Sequence, residues 1–436
     1  MRDEPVAVIG LGPVGLTLAL VLAEAGAEVI GVEADPTRAA ALARGESALE
    51  EPGLADLLAR MLAEGRFRVQ AVPSPCPVQI IAVGTPLDPA TAAPDLTELR
   101  AATAAVAKVL RAGDLVILRS TVPVGATRTE VAPILAATGV AHDLVTCPER
   151  TLEGAALAEL RSLPQILGGL TPQATDRAAA LFGRITPQCL PVSTPEAAEI
   201  AKLAGNTLRD LQFAFANEIA LLAEASRADM AEIVHASTHL YPRAGLARPG
   251  PVGGPCLSKD PGLLTASARA LGLALTLPDA GRQVNAALPE RIVARLAERI
   301  APPGRIALIG LAFKARPEVA DLRGTPALGV IAALRRHWPG AALIGADPRL
   351  APETAAAALG IDVAPGPEAA AKGADLALLL TDTPRIDAGG LRRLAAVMAP
   401  GGTIHDCWPR LPADSPLPNR VAYLGLGRAA APGSPA

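Results

Sequence analysis

Short apolar runs alternate with helix-length stretches of mixed polarity from position 6 to about 190, a pattern that predicts repeated strand–helix units. Val6 to Ile9, Glu28 to Val32, Val78 to Val83, Leu115 to Arg119 and Asp143 to Thr146 read as strands. They are almost wholly apolar, as parallel strands covered on both faces are. From about 195 the texture changes, and helical periodicity runs through Glu196 to Arg227 and through Asp260 to Ile300, the latter expected to break near Pro278 and Pro289. Glu199, Lys202, Asn206, Arg209 and Asp210 recur at three- and four-residue spacing, so a polar stripe lies along an otherwise apolar helix. Strand-like runs resume at Arg305 to Gly310, Ala342 to Gly345, Leu376 to Leu380 and Thr403 to His405.

The first strand runs into Gly10-Leu11-Gly12-Pro13-Val14-Gly15 and then an apolar helix, the setting a dinucleotide fingerprint requires. Gly10, Gly12 and Gly15 permit a tight turn and close approach of a pyrophosphate, whose charge meets the N–H groups of the helix start at Val14 and Gly15. Glu33, eighteen residues past Gly15 at the end of the second strand, is placed to bind both ribose hydroxyls, which favours NAD over NADP. Arg38 is the residue able to meet a 2'-phosphate instead, and otherwise lies on a solvated helix face. The loops Thr85-Pro86, Ser120-Thr121-Val122-Pro123 and Cys147-Pro148-Glu149-Arg150 follow strands, so in a parallel sheet they line one crevice near the nicotinamide. The second set of strands lacks the GxGxxG turn and is expected to grip a different ligand.

The fold class that follows is α/β: two doubly wound, Rossmann-like domains, 1–192 and 301–427, joined by a central long-helix domain, 193–300. Residues 428–436 are expected to be a disordered tail. With 436 residues at 50% hydrophobic content the chain is long enough for several cores. A net charge of -3 gives no basic field, so nucleic acid is a poor partner and an anionic substrate needs locally gathered cations. No apolar span of transmembrane size and no leader pattern is seen, which predicts a cytoplasmic protein with no membrane partner. Five scattered cysteines make neither a disulfide framework nor a CxxC metal pair, so no metal is expected.

One cysteine stands apart. Gly250-Pro251-Val252-Gly253-Gly254-Pro255-Cys256-Leu257-Ser258-Lys259-Asp260-Pro261 sets Cys256 on a glycine-rich loop ahead of a helical run, with a carboxylate four residues later. A helix start favours the thiolate, the form of cysteine that attacks carbon. The arrangement suits covalent catalysis.

Taken in order, GLGPVGL, the Glu51-Pro52-Gly53 turn, STVPVG, PER, the KLAGN helix, PGPVGGPCLSKDP, GRQVN, GLAFK and DLRGTP resemble the nucleotide-sugar 6-dehydrogenase family over nearly the whole chain. The resemblance implies a four-electron oxidation of a primary alcohol to a carboxylate with two NAD reduced, through a thiohemiacetal and a thioester on Cys256. Lys202 and Asn206 are then the oxyanion donors, Asp260 orients or deprotonates water, and Glu149 with Thr121 holds another water or acts as base. Thr85, Thr121, Lys259 and Arg323 join the fingerprint residues around the cofactor. Arg150, Lys202, Asn206, Arg209, Gly253, Phe313 and Lys314 bind the nucleotide sugar, and Arg243 reaches in from the second subunit of a homodimer.

Within the family, Arg150 and the sequence VGGPC are similar to the UDP-N-acetylhexosamine branch, including UDP-N-acetylmannosamine dehydrogenases, rather than to the UDP-glucose branch. Glu153, Thr381-Asp382-Thr383 and Asp406-Cys407-Trp408 depart from the branch pattern, and the last two fall in the presumed sugar-nucleotide domain. They leave UDP-glucose or a modified nucleotide sugar as the alternative substrate. The more distant alternatives are a two-electron hydroxyacid dehydrogenase and a non-catalytic homologue. Supply of surface-polysaccharide precursors is the usual setting of the family.

Overall fold

The structure is a computed structural model that describes residues 4–412 and 415–428. The chain folds into two compact units, Met1–Asn206 with Lys259–Leu275, and Thr207–Ser258 with Thr276–Ala436. The expected central segment is therefore divided between them, with the boundary inside one continuous helix, Pro195–Ser226. Residues 429–436 of the expected tail lie outside the described residues, whereas Arg428 is held by an ion pair to Asp229 at 2.8 Å.

The first unit is built on an eight-stranded sheet, β1 (Val6–Ile9), β2 (Val29–Val32), β3 (Phe67–Gln70), β4 (Val78–Ile81), β5 (Leu115–Leu118), β6 (Asp143–Thr146), β7 (Gln165–Gly169) and β8 (Cys189–Val192). The strand order is β3-β2-β1-β4-β5-β6-β7-β8, parallel except between β6 and β7. β1, β2, β4 and β5 are buried at every position, which is why their sequences read as almost wholly apolar runs, Gln79 excepted. β3, β7 and β8 carry polar residues, proline or glycine and lie toward the sheet's edges, where the periodicity signal is weakest.

The second unit holds a six-stranded parallel sheet, β9 (Arg305–Ile309), β10 (Ala342–Ala346), β11 (Asp362–Val363), β12 (Leu376–Leu379), β13 (Thr403–Asp406) and β14 (Ala422–Gly425), in the order β11-β10-β9-β12-β13-β14. Ala216, Ala220 and Ala223 of the long helix pack in one core with Leu288, Ile292 and Leu296 and with Ile306, Leu308 and Leu376 of the sheet. The predicted helical stretch from 260 is two helices, Asp260–Ala270 and Thr276–Ala297. The interruption falls not at the prolines but at Leu271 to Leu275, where Gly272 takes φ +74°. Pro278 sits in the first turn, where a missing N–H costs nothing. Pro289 lies inside the helix, its ring against Gly329 of the neighbouring helix Ala327–His337, a contact a larger residue at 329 would obstruct.

His405 on β13 is 7% exposed, and neither ring nitrogen has a hydrogen-bond partner among the described residues. It borders a small cavity shared with Glu224, Arg295 and Arg299. Burial, with Arg299 nearby, lowers its pKa from 6.5 to about 4. Between those values the unfolded chain holds a proton that the folded one does not, so this contribution is complete above pH 6.5 and declines as pH falls toward 4. We expect His405→Leu to flatten the acid limb of the stability curve over that window, by on the order of 3 kcal/mol at most. Urea denaturation from pH 4 to 7 checks it, and parallel acid limbs in the two proteins are the contrary result.

Candidate active site

Gly10 takes φ +91°, and a Cβ there would lie 2.7 Å from the Ala82 carbonyl oxygen. A Cβ at Gly15 would meet the Gly10 carbonyl at 1.8 Å, so the helix Pro13–Glu24 rests directly on the turn. Gly12 differs: it is the N-cap, no side chain caps it, and nothing lies within 4 Å of where its Cβ would stand. The turn thus leaves open space over an uncapped helix start, the cradle a pyrophosphate requires. Glu33, 6% exposed at the end of β2, accepts from Leu11 N at 3.4 Å, Asp35 N at 3.1 Å and Arg38 Nη1 at 3.3 Å. Arg38, half-exposed, is thereby tied to the carboxylate rather than standing alone as a phosphate cation. These residues fit NAD, with Glu33 beside the turn for the ribose.

The second sheet opens the same way, with Gly310 at φ +82° after β9, but the site does not repeat. Ala312 stands where the first turn has Gly12, and Asp347 after β10 accepts from Leu311 N at 2.7 Å, Ala312 N at 3.0 Å and Arg349 N at 2.9 Å. Its carboxylate fastens the loop much as Glu33 does in the first sheet, but the Ala312 methyl stands where Gly12 leaves open space.

In the first unit, the loops after β4, β5 and β6 are tied by side chains that periodicity does not reveal. Arg119, fully buried, donates to Glu149 Oε2 at 2.6 Å, to the Cys147 carbonyl at 3.0 Å and to Gln165 Oε1 at 2.7 Å. Glu149 Oε1 also accepts from Arg150 N at 2.6 Å and Thr151 N at 2.7 Å. Burial alone would raise the Glu149 carboxyl, but Arg119 and these N–H groups outweigh it and hold its pKa below the ordinary value. A carboxylate so engaged is a weak base, and its evident work is to shape the turn that carries Arg150. Arg150 itself is exposed and directs a guanidinium nitrogen to the Pro164 carbonyl. Glu199, buried on the long helix, accepts from Gly125 N at 2.6 Å and Thr127 N at 2.9 Å, and Ser267 Oγ accepts from Val124 N at 2.8 Å. The loop that presents Thr121 is fixed by those three bonds.

Asn206, Asp260, Lys259 and Thr85 form a chain in the same unit. Asn206 Nδ2 donates to Asp260 Oδ2 at 2.6 Å, Lys259 Nζ lies 3.2 Å from Asp260 Oδ1 and 3.4 Å from Thr85 Oγ1, and Thr85 donates to the Thr121 carbonyl. Asp260 is 1% exposed, and Lys202, one turn before Asn206, is 8% exposed. Five expected site residues, Thr121 included, are therefore linked by hydrogen bonds and ion pairs, with Lys202 buried on the same helical face.

The remaining site residues belong to the second unit. Cys256 is exposed in a run of turns that ends at the helix Asp260–Ala270. Cys76, Cys147 and Cys407 are buried, which raises each thiol's pKa, that of Cys147 to about 11, so they stay protonated. A Cβ at Gly253 would strike the Gly324 carbonyl at 2.4 Å, and one at Gly254 would strike the Phe313 ring at 2.5 Å, so the cysteine loop packs backbone-first on GLAFK and DLRGTP. Lys314 Nζ lies 5.5 Å from the centre of the Phe313 ring. Arg323 pairs with Asp321, Arg209 is exposed, and Arg243 is exposed over the Tyr241 ring at 4.7 Å.

A glycine turn with an open helix start, a buried carboxylate at the next strand end and a second doubly wound sheet without that turn define an NAD-dependent dehydrogenase whose second sheet serves another ligand. The chain belongs to the UDP-glucose/GDP-mannose dehydrogenase family, matching its NAD binding domain over residues 4–186, its central domain over 196–287 and its UDP binding domain over 307–412. It is an NAD-dependent nucleotide-sugar dehydrogenase. It is 34% identical to an NDP-N-acetyl-D-galactosaminuronic acid dehydrogenase of Ralstonia nicotianae, covering 86% of this chain and 90% of that one. It is 33% identical to a UDP-N-acetyl-D-mannosamine dehydrogenase of Yersinia pestis, covering 89% and 96%. The solved UDP-glucose dehydrogenase of Pyrobaculum islandicum superposes with a TM-score of 0.85 at 27% identity, covering 98% of both chains. Among the described residues no helix is long and apolar enough to cross a membrane.

Removing Arg119 leaves Glu149 buried without its cation. Arg119→Met should destabilise the protein by about 3–5 kcal/mol, while Arg119→Met with Glu149→Leu recovers much of it. Chemical denaturation of the two variants measures this. Equal losses in both would mean that the pair is incidental to packing.

Proposed function

We propose that the protein oxidises the 6-hydroxymethyl group of a UDP-N-acetylhexosamine to a carboxylate through covalent adducts on Cys256. The observation that carries this reading is Cys256 itself, an exposed thiol on a glycine loop while Cys76, Cys147 and Cys407 are buried. The overall change is R–CH2OH with two NAD+ and one water giving R–COO−, two NADH and three protons. Bound NAD supplies a hydride acceptor at each of the two oxidations. The Cys256 thiolate forms the C–S bond to the intermediate aldehyde, and that bond breaks when water attacks the later thioester, returning the thiolate. Lys202 and the Asn206 amide stabilise the oxyanion of each tetrahedral adduct. Asp260, oriented by Asn206 and Lys259, positions the water, and Glu149 with Thr121 holds a second one. Gly253, Phe313, Lys314 and Arg209 bind the nucleotide sugar, and Arg323 faces the cofactor.

The acetamido sugar is supported by the loop Val252-Gly253-Gly254-Pro255-Cys256 and by the names of the relatives in Ralstonia and Yersinia. Arg150 carries no weight in it, because its guanidinium is engaged at Pro164. With excess NAD and a panel of UDP-N-acetylmannosamine, UDP-N-acetylglucosamine, UDP-glucose and GDP-mannose, we expect two NADH per sugar and the fastest turnover on an acetamido sugar. Cys256→Ser should lower acid formation by at least about a thousandfold. Faster oxidation of UDP-glucose overturns the substrate, and full turnover by Cys256→Ser overturns the covalent route.

The reading includes a homodimer. Leu208, Phe215 and Leu222 are each 58–62% exposed at seven-residue intervals on the long helix, one apolar stripe on the side away from its buried alanines. A second copy of the same helix, crossing it about a two-fold axis, is the occupant such a self-complementary stripe suits. Leu240, 89% exposed at φ +53°, and Tyr241 flank the Arg243 that would reach the other subunit's site. Phe215→Glu should convert a sedimenting dimer to monomer and lower turnover with it. A dimer that persists unchanged counts against this face.

A further inference from the structure

We infer that Asn217, Asn285 and Arg282, with Trp408, are positioning residues that fix both ends of the Cys256 loop. The inference rests on the reading of Cys256 as the nucleophile. All of the residues concerned lie in the second unit.

At the start of the loop, Gly250 N–H donates to Asn217 Oδ1 at 2.8 Å, and Asn217 Nδ2 donates back to the Gly250 carbonyl at 3.1 Å. One carboxamide thus pairs with both polar groups of one residue, as a neighbouring strand would. The second hydrogen of Nδ2 goes to Asn285 Oδ1 at 3.0 Å, so this orientation satisfies all three partners and a flipped amide does not. Asn285 Nδ2 donates to Asp210 at its carbonyl and at Oδ1, each 2.9 Å away. Asp210 Oδ1 also accepts from Arg282 Nη1 at 2.6 Å, and the same nitrogen lies 3.1 Å from the carbonyl oxygen of Leu257, the residue after Cys256. The bonds run from Gly250 through Asn217, Asn285, Asp210 and Arg282 to Leu257, and close a ring around the loop.

Two further contacts act on the loop backbone, one at its start and one between its ends. The Trp408 indole packs against Gly250, where a Cβ would fall 2.3 Å from the ring, and it is held by Nε1 donating to the Leu380 carbonyl at 3.0 Å. Gly254 N–H donates to the Gly324 carbonyl at 2.9 Å. Cys256 therefore hangs between anchored neighbours on either side. The GRQVN run that contributes Arg282 and Asn285, and the unusual Trp408, acquire a common task.

Asn217 and Asn285 are 1% and 3% exposed and Asp210 is fully buried. Burial raises the Asp210 pKa against the opposing pull of Arg282 and Asn285, so the ring is a costly way to fill space. Leucine-like side chains would pack the same helices without that cost. What they would not supply is a fixed thiol, and a displacement of about 1 Å at a reacting atom costs on the order of a hundredfold in rate.

The test uses the full-length protein. Arg282→Met and Asn217→Leu should each lower kcat by about ten- to a hundredfold and change the rate of Cys256 alkylation by iodoacetamide, read on its own peptide by mass, by more than threefold. NAD affinity should stay within twofold and the melting temperature close to that of wild type, which together show that the variants fold. Arg282→Lys, which keeps a donor for Leu257, should restore at least a third of both rates. The inference is overturned if kcat and alkylation stay within twofold of wild type, or if both fall only in step with NAD affinity and melting temperature. Cys256→Ser with full turnover would instead remove the nucleophile reading, while the alkylation rates would still report whether the ring sets the thiol.

Discussion

The long helix Pro195–Ser226 is inside-out, and most of the functional architecture follows from how its buried polar groups are satisfied. Glu199, Lys202, Asn206, Asp210, Asn217 and Glu224 are buried or nearly so, while Leu208, Phe215 and Leu222 face outward. A polar side chain taken out of water has to find a partner or lose several kcal/mol, roughly 1–3 for each unmade bond. The partners are loops: Glu199 takes the backbone after Thr121, Asn206 takes Asp260, Asp210 takes Arg282, Asn217 takes Gly250, and Glu224 takes Gly427 N at 2.8 Å together with Arg295. One helix is in this way a rack on which irregular backbone is hung, so loops rather than strands hold their shape by it.

The same reasoning accounts for charge in the first unit. Arg119 and Glu149 stabilise little as a pair, because desolvating both consumes most of their attraction. Their value is directional: a guanidinium and two backbone N–H groups fix a carboxylate that otherwise would draw in water and loosen the turn. Glu33 and Asp347 show how one topology serves two ligands. Each follows the second strand of its sheet and receives N–H groups from the opposite turn, but the turn facing Asp347 carries Ala312 where the turn facing Glu33 carries Gly12 with open space above it.

The apolar stripe and the buried polar stripe on one helix also bear on substitution. A change toward ordinary amphipathy, polar outside and apolar inside, would raise the solubility of the isolated helix and dismantle what it organises. Local preference and tertiary role disagree here, as they tend to at functional sites.

The sequence by itself determined the buried central strands, the dinucleotide turn, the long helices and the singular cysteine, because each depends on local spacing and on residue types few other settings tolerate. The last two strands of the first sheet, β7 and β8, were not legible, since glycine and proline in them carry no period. Nor were the partners of Arg119, Glu199, Asn217 and Arg282, which lie from 25 to 74 residues away in the chain. The prolines misled as well: Pro289 stays inside its helix with its ring packed on the neighbouring Gly329, a fact of packing and not of sequence. Tertiary structure alone decided which polar residues are buried and against what, because desolvation depends on what the fold brings close rather than on what the chain places next in line.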